Sequence, residues 1–250
     1  LICKGVNPKY YFISGSGNKK TFSKKKLNEI SNSLMEEQKK YKIYLCGGDT
    51  TFSKKLNFSI TVIGFSKKII LRNNTKINDD IYVTGNIGDS FIGLKIINKN
   101  IKIKNNLKTY FINKYYKPDI QIKLAEKLLN FSNSSIDISD GLFADLDKLI
   151  NNQNVSYKIN INKIPISKPM NALILNHKLN KIKMISNGDD YQILFTANKS
   201  KSGIIKANAQ KLNLKVTKIG EILPSSDKSL IIDEKGRIIR LNNRGYVHKF

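Results

Sequence analysis

Residues 137–141, DISDG, place two aspartates, a serine and a glycine between a short β-branched run and an amphipathic helical pattern. On a strand over 135–138, side chains two apart share a face, so Asp137 and Ser139 point together and the turn swings Asp140 toward the same point. Hard oxygen donors held this way suit Mg²⁺, which takes one or two carboxylates along with substrate phosphates. The same residues also read as a polar strand end with Asp140 as an ordinary helix N-cap. A second candidate is GGDTT at 47–51, where two glycines let a backbone pass close to a phosphate and Asp49 stands at the rim, able to take a metal. A plain Gly-Gly turn is its alternative. The third is Gly188-Asp189-Asp190, a ligand contact or a solvated turn. Arg72 stands out because arginine otherwise occurs only at 237, 240 and 244. Beside a glycine-lined anion site its guanidinium would clamp phosphate oxygens bidentately, and otherwise it is a solvated surface group.

The elements that must position these groups alternate between strand and helix. A strand over 10–14 runs into Gly15-Ser16-Gly17, and a helix capped by Ser23 carries Leu27, Ile30, Leu34 and Tyr41 on one face. A strand over 42–46 ends at Gly47, and the alternation over 57–65 predicts a strand with a well-buried face. Residues 73–80 lack apolar periodicity and mark a domain boundary. A strand over 81–84 then leads through Gly85, Gly88, Asp89 and Ser90 into a helix over 91–97, a spacing that lacks the lysine of a phosphate loop and reads as a structural turn. Residues 98–110, rich in Lys and Asn, read as exposed, and a helix follows Pro118. Behind Asp140, Leu142, Leu146, Leu149 and Ile150 fall at helical spacing, with Asp145 expected to face away from the cleft. Strands over 155–161, 191–196 and 216–223, helices over 171–179 and 202–212, and a hairpin over 230–241 complete the chain, with His177 assigned to the surface. The fold class is α/β (α+β), with two domains.

Composition narrows the function. The longest apolar runs are far short of the roughly 20 residues needed to span a bilayer, and Lys4, Pro8 and Lys9 interrupt any signal-peptide core in the first ten residues. A soluble, cytoplasmic protein without a membrane partner is expected. The chain of 250 residues carries 44 Lys and Arg against 19 Asp and Glu, a formal charge of +25. The cations are nearly all lysines scattered among Asn and Ile, a composition bias, and the Arg forks of sequence-specific nucleic-acid readers are scarce. A specific nucleic-acid partner is therefore not expected. Cys3 and Cys46, isolated, read as small buried hydrophobes.

Taken in order, GGDTT at 47–51, Arg72, YVTG and GDS at 82–90, IDISDGL and ADL at 136–146, NGDDYQILFT at 187–196, IGEI at 219–222 and the ending GYVHKF resemble the thiamine-monophosphate kinase family of the aminoimidazole ribonucleotide synthetase-like superfamily. The resemblance implies an amino-terminal nucleotide- and metal-binding domain, of which 1–75 is the remainder, and a carboxy-terminal α/β domain over 81–250 that completes the cleft. It implies transfer of the ATP γ-phosphoryl group to thiamine monophosphate, with Mg²⁺ on Asp49, Asp137 and Asp140 and no covalent nucleophile. It further implies that Gly48, Asp49, Arg72 and Ser139 serve nucleotide binding, that Asp189 contacts substrate and that Tyr246 stacks on thiamine. Where the family carries Gly-Gly-Glu-Asp-Tyr-Glu this chain has 187–192 as NGDDYQ, and Lys249 is an extra residue before the final aromatic. A further metal-binding region precedes the counterpart of Leu1 in the family, so the chain reads as amino-terminally truncated, inactive alone and homodimeric when full length. A purine-biosynthesis synthetase of the same superfamily and a basic nucleic-acid-binding protein are the competing readings.

Overall fold

The computed structural model describes residues 1–177 and 179–247, the side chains of Asn105 and His177 excepted. The surface assignment of His177 and the residues 248–250 of the terminal motif lie outside them. Two sheets organise the chain. The first is built from β1 (Pro8–Gly17), β2 (Tyr44–Phe52) and β3 (Asn57–Gly64), with α1 (Lys24–Tyr41) between β1 and β2. Its order is β2-β1-β3, parallel between β1 and β2 and antiparallel between β1 and β3. Helix α1 meets this sheet along a shallow groove where Ile30 and Leu34 face Ile13, Phe58 and Ile60. Nothing thicker covers β3 among the described residues: Ile60 is 54% exposed and Val62 41% exposed, so the expected buried face is absent. Apolar alternation fixes which side chains share a face, not whether a second layer arrives to cover it.

The second sheet begins at β4 (Asp80–Thr84), followed by α2 (Asp89–Ile97), α3 (Asn105–Tyr116), the one-turn α4 (Ala125–Leu128), β5 (Ser134–Asp137) and α5 (Leu142–Ile150). Then come β6 (Val155–Asn160), α6 (Lys168–His177), α7 (Lys181–Ile185), β7 (Ile193–Ala197), α8 (Ser202–Lys211), β8 (Val216–Pro224) and β9 (Leu230–Ile232). The order is β5-β7-β4-β8-β6-β9, antiparallel throughout except for the parallel pair β6 and β9. Strand alternation supplies two cores. Ile81, Val83, Leu194 and Ile136 turn to one face with Leu142, Leu146 and Leu149 of α5, and Tyr82, Ile193 and Phe195 turn to the other with Leu124, Leu128 and Phe131. Each such buried side chain contributes about 1.5–3 kcal/mol, which makes this sheet the rigid platform of the molecule.

Cys3 and Ile70 belong to the second of these cores, so the opening turn packs on the six-stranded sheet. Residues 98–110 are not simply an exposed stretch: α3 starts within them and buries Phe111 against α2, where a Cβ on Gly93 would stand 2.2 Å from the Phe111 carbonyl oxygen. Cys3 is buried as expected, but Cys46 is exposed. Among the described residues no helix is long and apolar enough to cross a membrane.

Candidate active site

Strand β5 delivers Asp137 to its end, and α5 starts only at Leu142, after a turn through Ser139, Asp140 and Gly141. The N-cap is Gly141, at φ 129° in a region that favours glycine, and not Asp140. The capping acceptor comes from inside the helix. One carboxylate oxygen of Asp145, Oδ2, accepts the backbone N–H groups of Ser139 and Asp140 at 2.9 Å each and of Gly141 at 3.1 Å. Asp145 is fully buried and its other oxygen pairs with Lys148 at 2.9 Å. It therefore does not face away, as its helical position suggests, but holds the turn. Asp140 is only partly buried and pairs with the same Lys148 ammonium.

Two distant segments close on this turn. Gly188 lies so tight against it that a Cβ would stand 1.8 Å from the Ser139 carbonyl oxygen. The Asp189 N–H donates to Ser139 O at 3.0 Å, the Tyr191 N–H to Ile138 O at 2.9 Å, and the Ile138 N–H to Gln192 O at 2.8 Å. Burial, and then the charge of Asp140, raise the Asp189 carboxyl above the usual range. Asp190 serves the scaffold instead. It is buried, accepts the Gly88 N–H at 2.7 Å and the Ser90 N–H at 3.3 Å, and burial pushes it up to about 8. The GDS turn after β4 is thus structural, as its spacing predicts. Gln192 is also structural, its Oε1 accepting the Thr84 hydroxyl at 2.8 Å.

The second segment is 244–246. The Ala144 N–H donates to Arg244 O at 2.8 Å and the Tyr246 N–H to Asp140 O at 2.7 Å. Arg244 grips Asp147 through two hydrogen bonds, of 2.6 and 2.8 Å, and also donates to the Tyr157 hydroxyl. Tyr246, tied to the acidic turn through its backbone, is 61% exposed.

Asp137 opens on a cavity of about 310 Å³ between the opening residues and β5, lined also by Cys3, Val62, Gln121 and Tyr191. The Cys3 thiol, raised by burial and then by the charge of Asp137, lies 3.7 Å from Asp137 Oδ1. Arg72 follows Leu71, whose carbonyl accepts the Ser135 N–H at 3.3 Å. The GGDTT motif is not a turn but the interior of β2: Gly48 packs on β1, where a Cβ would stand 1.7 Å from Ile13 O, and Asp49 pairs with Ser14. The structure therefore gathers Asp137, Ser139, Asp140, Asp189 and Tyr246 around one turn, with Arg72 at its flank. Among the described residues no hydrogen bond or ion pair joins Gly48 or Asp49 to it, and no group of three or more His, Cys, Asp or Glu is arranged to hold a metal ion. The structural roles of Asp145 and Asp190 are not evident from sequence; the available signal is an acid one turn into a helix whose cap is glycine, and an acid adjoining a tight Gly-Asp.

The architecture is shared with solved structures. The crystal structure of thiamine-monophosphate kinase from Stenotrophomonas maltophilia superposes with a TM-score of 0.84 at 24% identity, covering 96% of this chain and 75% of that one. A thiamine-monophosphate kinase structure described as complexed with AMPPCP and TMP gives the same score at 23% identity, covering 99% and 76%. The fold is that of the aminoimidazole ribonucleotide synthetase-like class. No protein-family model matches the chain. The thiamine-monophosphate kinase of Buchnera aphidicola from Acyrthosiphon pisum is 36% identical over 230 residues, which span 89% of this chain and 69% of that protein. The chain belongs to the thiamine-monophosphate kinase family.

Proposed function

We propose that the protein transfers the γ-phosphoryl group of ATP to thiamine monophosphate, giving thiamine diphosphate and ADP. The observation that supports this most directly is the convergence of 136–141, 187–191 and 244–246 on one acidic turn in a chain of this family. An oxygen of the acceptor phosphate attacks the γ-phosphorus in line while the bond to the β,γ-bridging oxygen breaks, and no protein nucleophile intervenes. The protein contributes positioning and charge neutralisation. Asp140 and Asp189 fit a cation because the charge of one already raises the proton affinity of the other, and Asp137 presents a further oxygen to the cavity. In this reading Asp49, Asp137 and Asp140 would hold Mg²⁺, which would neutralise charge on the phosphate oxygens. Gly48, Asp49, Arg72 and Ser139 bind the nucleotide, Asp189 orients the acceptor, and Tyr246 stacks on the thiamine rings. Residues 1–75 and 81–250 act as two domains, and the exposed apolar side chains of the first sheet, Leu45, Phe52 and Ile60 among them, support a homodimer.

The test is chromatographic detection of thiamine diphosphate after incubating ATP, Mg²⁺ and thiamine monophosphate with purified protein that spans the length of the related kinases, since the 250-residue chain alone is expected to be inactive. Folded protein that forms none, or that consumes ATP only with a purine precursor, would sink the reading in favour of the synthetase alternative.

A further inference from the structure

The mechanism above makes no use of Lys4, whose neighbour Cys3 lines the cavity on which Asp137 opens. We propose that Lys4 and Arg72 form a phosphate-binding pair at the edge of β5, beside Asp137, so that Lys4 is a further nucleotide-binding residue. This rests on the kinase reading.

Three chain segments are tied together at Ser135. Its N–H donates to Leu71 O at 3.3 Å, its hydroxyl donates to Cys3 O, and the Ile70 N–H donates to Lys4 O at 3.1 Å. The backbones that carry Lys4 and Arg72 are thereby fixed on one stretch of sheet edge. The Lys4 ammonium donates to Ser135 O at 2.5 Å, which uses one of its three hydrogens and leaves two. Burial, then the nearby like charge of Arg72, act to lower its proton affinity, opposed by Cys3 and Asp137. Among the described residues neither Lys4 nor Arg72 forms an ion pair with a carboxylate. Two cations brought within range of each other repel, and an anion between them relieves that cost. A phosphate suits the pair: a guanidinium binds two oxygens in a plane while an ammonium adds a point charge from another direction. The position adjoins Asp137, where the phosphates of the nucleotide must lie.

The probe is AMPPCP, titrated calorimetrically into purified protein with and without Mg²⁺. K4M, which keeps the apolar stem, is expected to weaken binding about tenfold in both conditions, and K4R to restore it to within about twofold. The salt dependence of binding should be shallower for K4M, a change that a purely structural role would not cause. K4Q retains a donor for Ser135 O and stands in if K4M does not fold. Binding by unaltered protein that K4M and K4Q leave within twofold overturns this inference alone. Absence of AMPPCP binding by unaltered, folded protein overturns both it and the kinase reading.

Discussion

Asp145 is the residue whose replacement tests the site's construction most directly. Its buried Oδ2 is the acceptor for three consecutive amides, and those amides belong to the residues that aim Asp137 and Asp140. D145A leaves the three N–H groups without an acceptor in a partly buried turn. At about 1–3 kcal/mol for each stranded donor, discounted because Ser139 and Asp140 are partly solvated, the expected loss of unfolding free energy is about 3–5 kcal/mol. D145N keeps an acceptor oxygen of the same shape but gives up charge assistance and the Lys148 pair, so about 1–3 kcal/mol is expected. Urea unfolding followed by circular dichroism gives both values, with AMPPCP binding as the functional readout. Because the turn is disturbed before the sheet, D145N should weaken nucleotide binding at urea concentrations where the far-ultraviolet signal is still native. If D145A and D145N both unfold within about 0.5 kcal/mol of the unaltered protein, Asp145 does not hold the turn and the argument from its three amides fails.

D137N keeps the shape of the cavity wall and removes a charge, so kcat should fall at least about a hundredfold while the melting temperature moves by less than about 3 °C; near-normal turnover at millimolar Mg²⁺ would remove Asp137 from the metal set. The carboxyl of Asp190, at about 8 in the fold against about 3.9 in an unfolded chain, keeps a proton that the unfolded chain releases. Its contribution to stability is therefore full below about pH 4 and is lost as pH rises through about 8. D190N should flatten the stability profile over that window, and a profile identical to that of the unaltered protein would contradict the assignment. R244A releases 244–246 from Asp147 and should raise KM for thiamine monophosphate about threefold to tenfold with kcat little changed; steady-state kinetics that show no rise in KM would mean that Tyr246 does not depend on this anchor.

Much of this site was legible because local rules and global contacts agree in the six-stranded sheet. The alternation around Ile136 gives β5, and the spacing of Leu142, Leu146 and Leu149 gives α5, because those same side chains enter one core. The motifs also identify the family. What sequence could not supply was which acid does which work. Asp140, first in line for a cap, is displaced by Asp145 because a helix-borne carboxylate can reach back over three amides of a glycine-containing turn. Asp189 and Asp190 are chemically equal neighbours, and only the partners Gly88 and Ser90, contributed by the start of α2, divide them into a half-buried and a fully enclosed role. The GGDTT motif lies inside a strand and not in a turn. Glycines that usually mark a turn here permit close approach of β2 to Ile13 within a strand pair.

The tie between 244–246 and the acidic turn also has a temporal meaning. Residues 136–145 leave the ribosome well before their partners: the roughly one hundred residues that separate Ala144 from Arg244 take on the order of 5–20 s to translate. Throughout that interval the Asp140 carbonyl and the Ala144 amide lack the partners that 244–246 supply, whereas β5 gains its strand partner β7 about halfway through it. The acidic turn is thus sealed by late-arriving chain, and slow or stalled synthesis before Arg244 would leave nascent protein with its sheet largely assembled and its site still open.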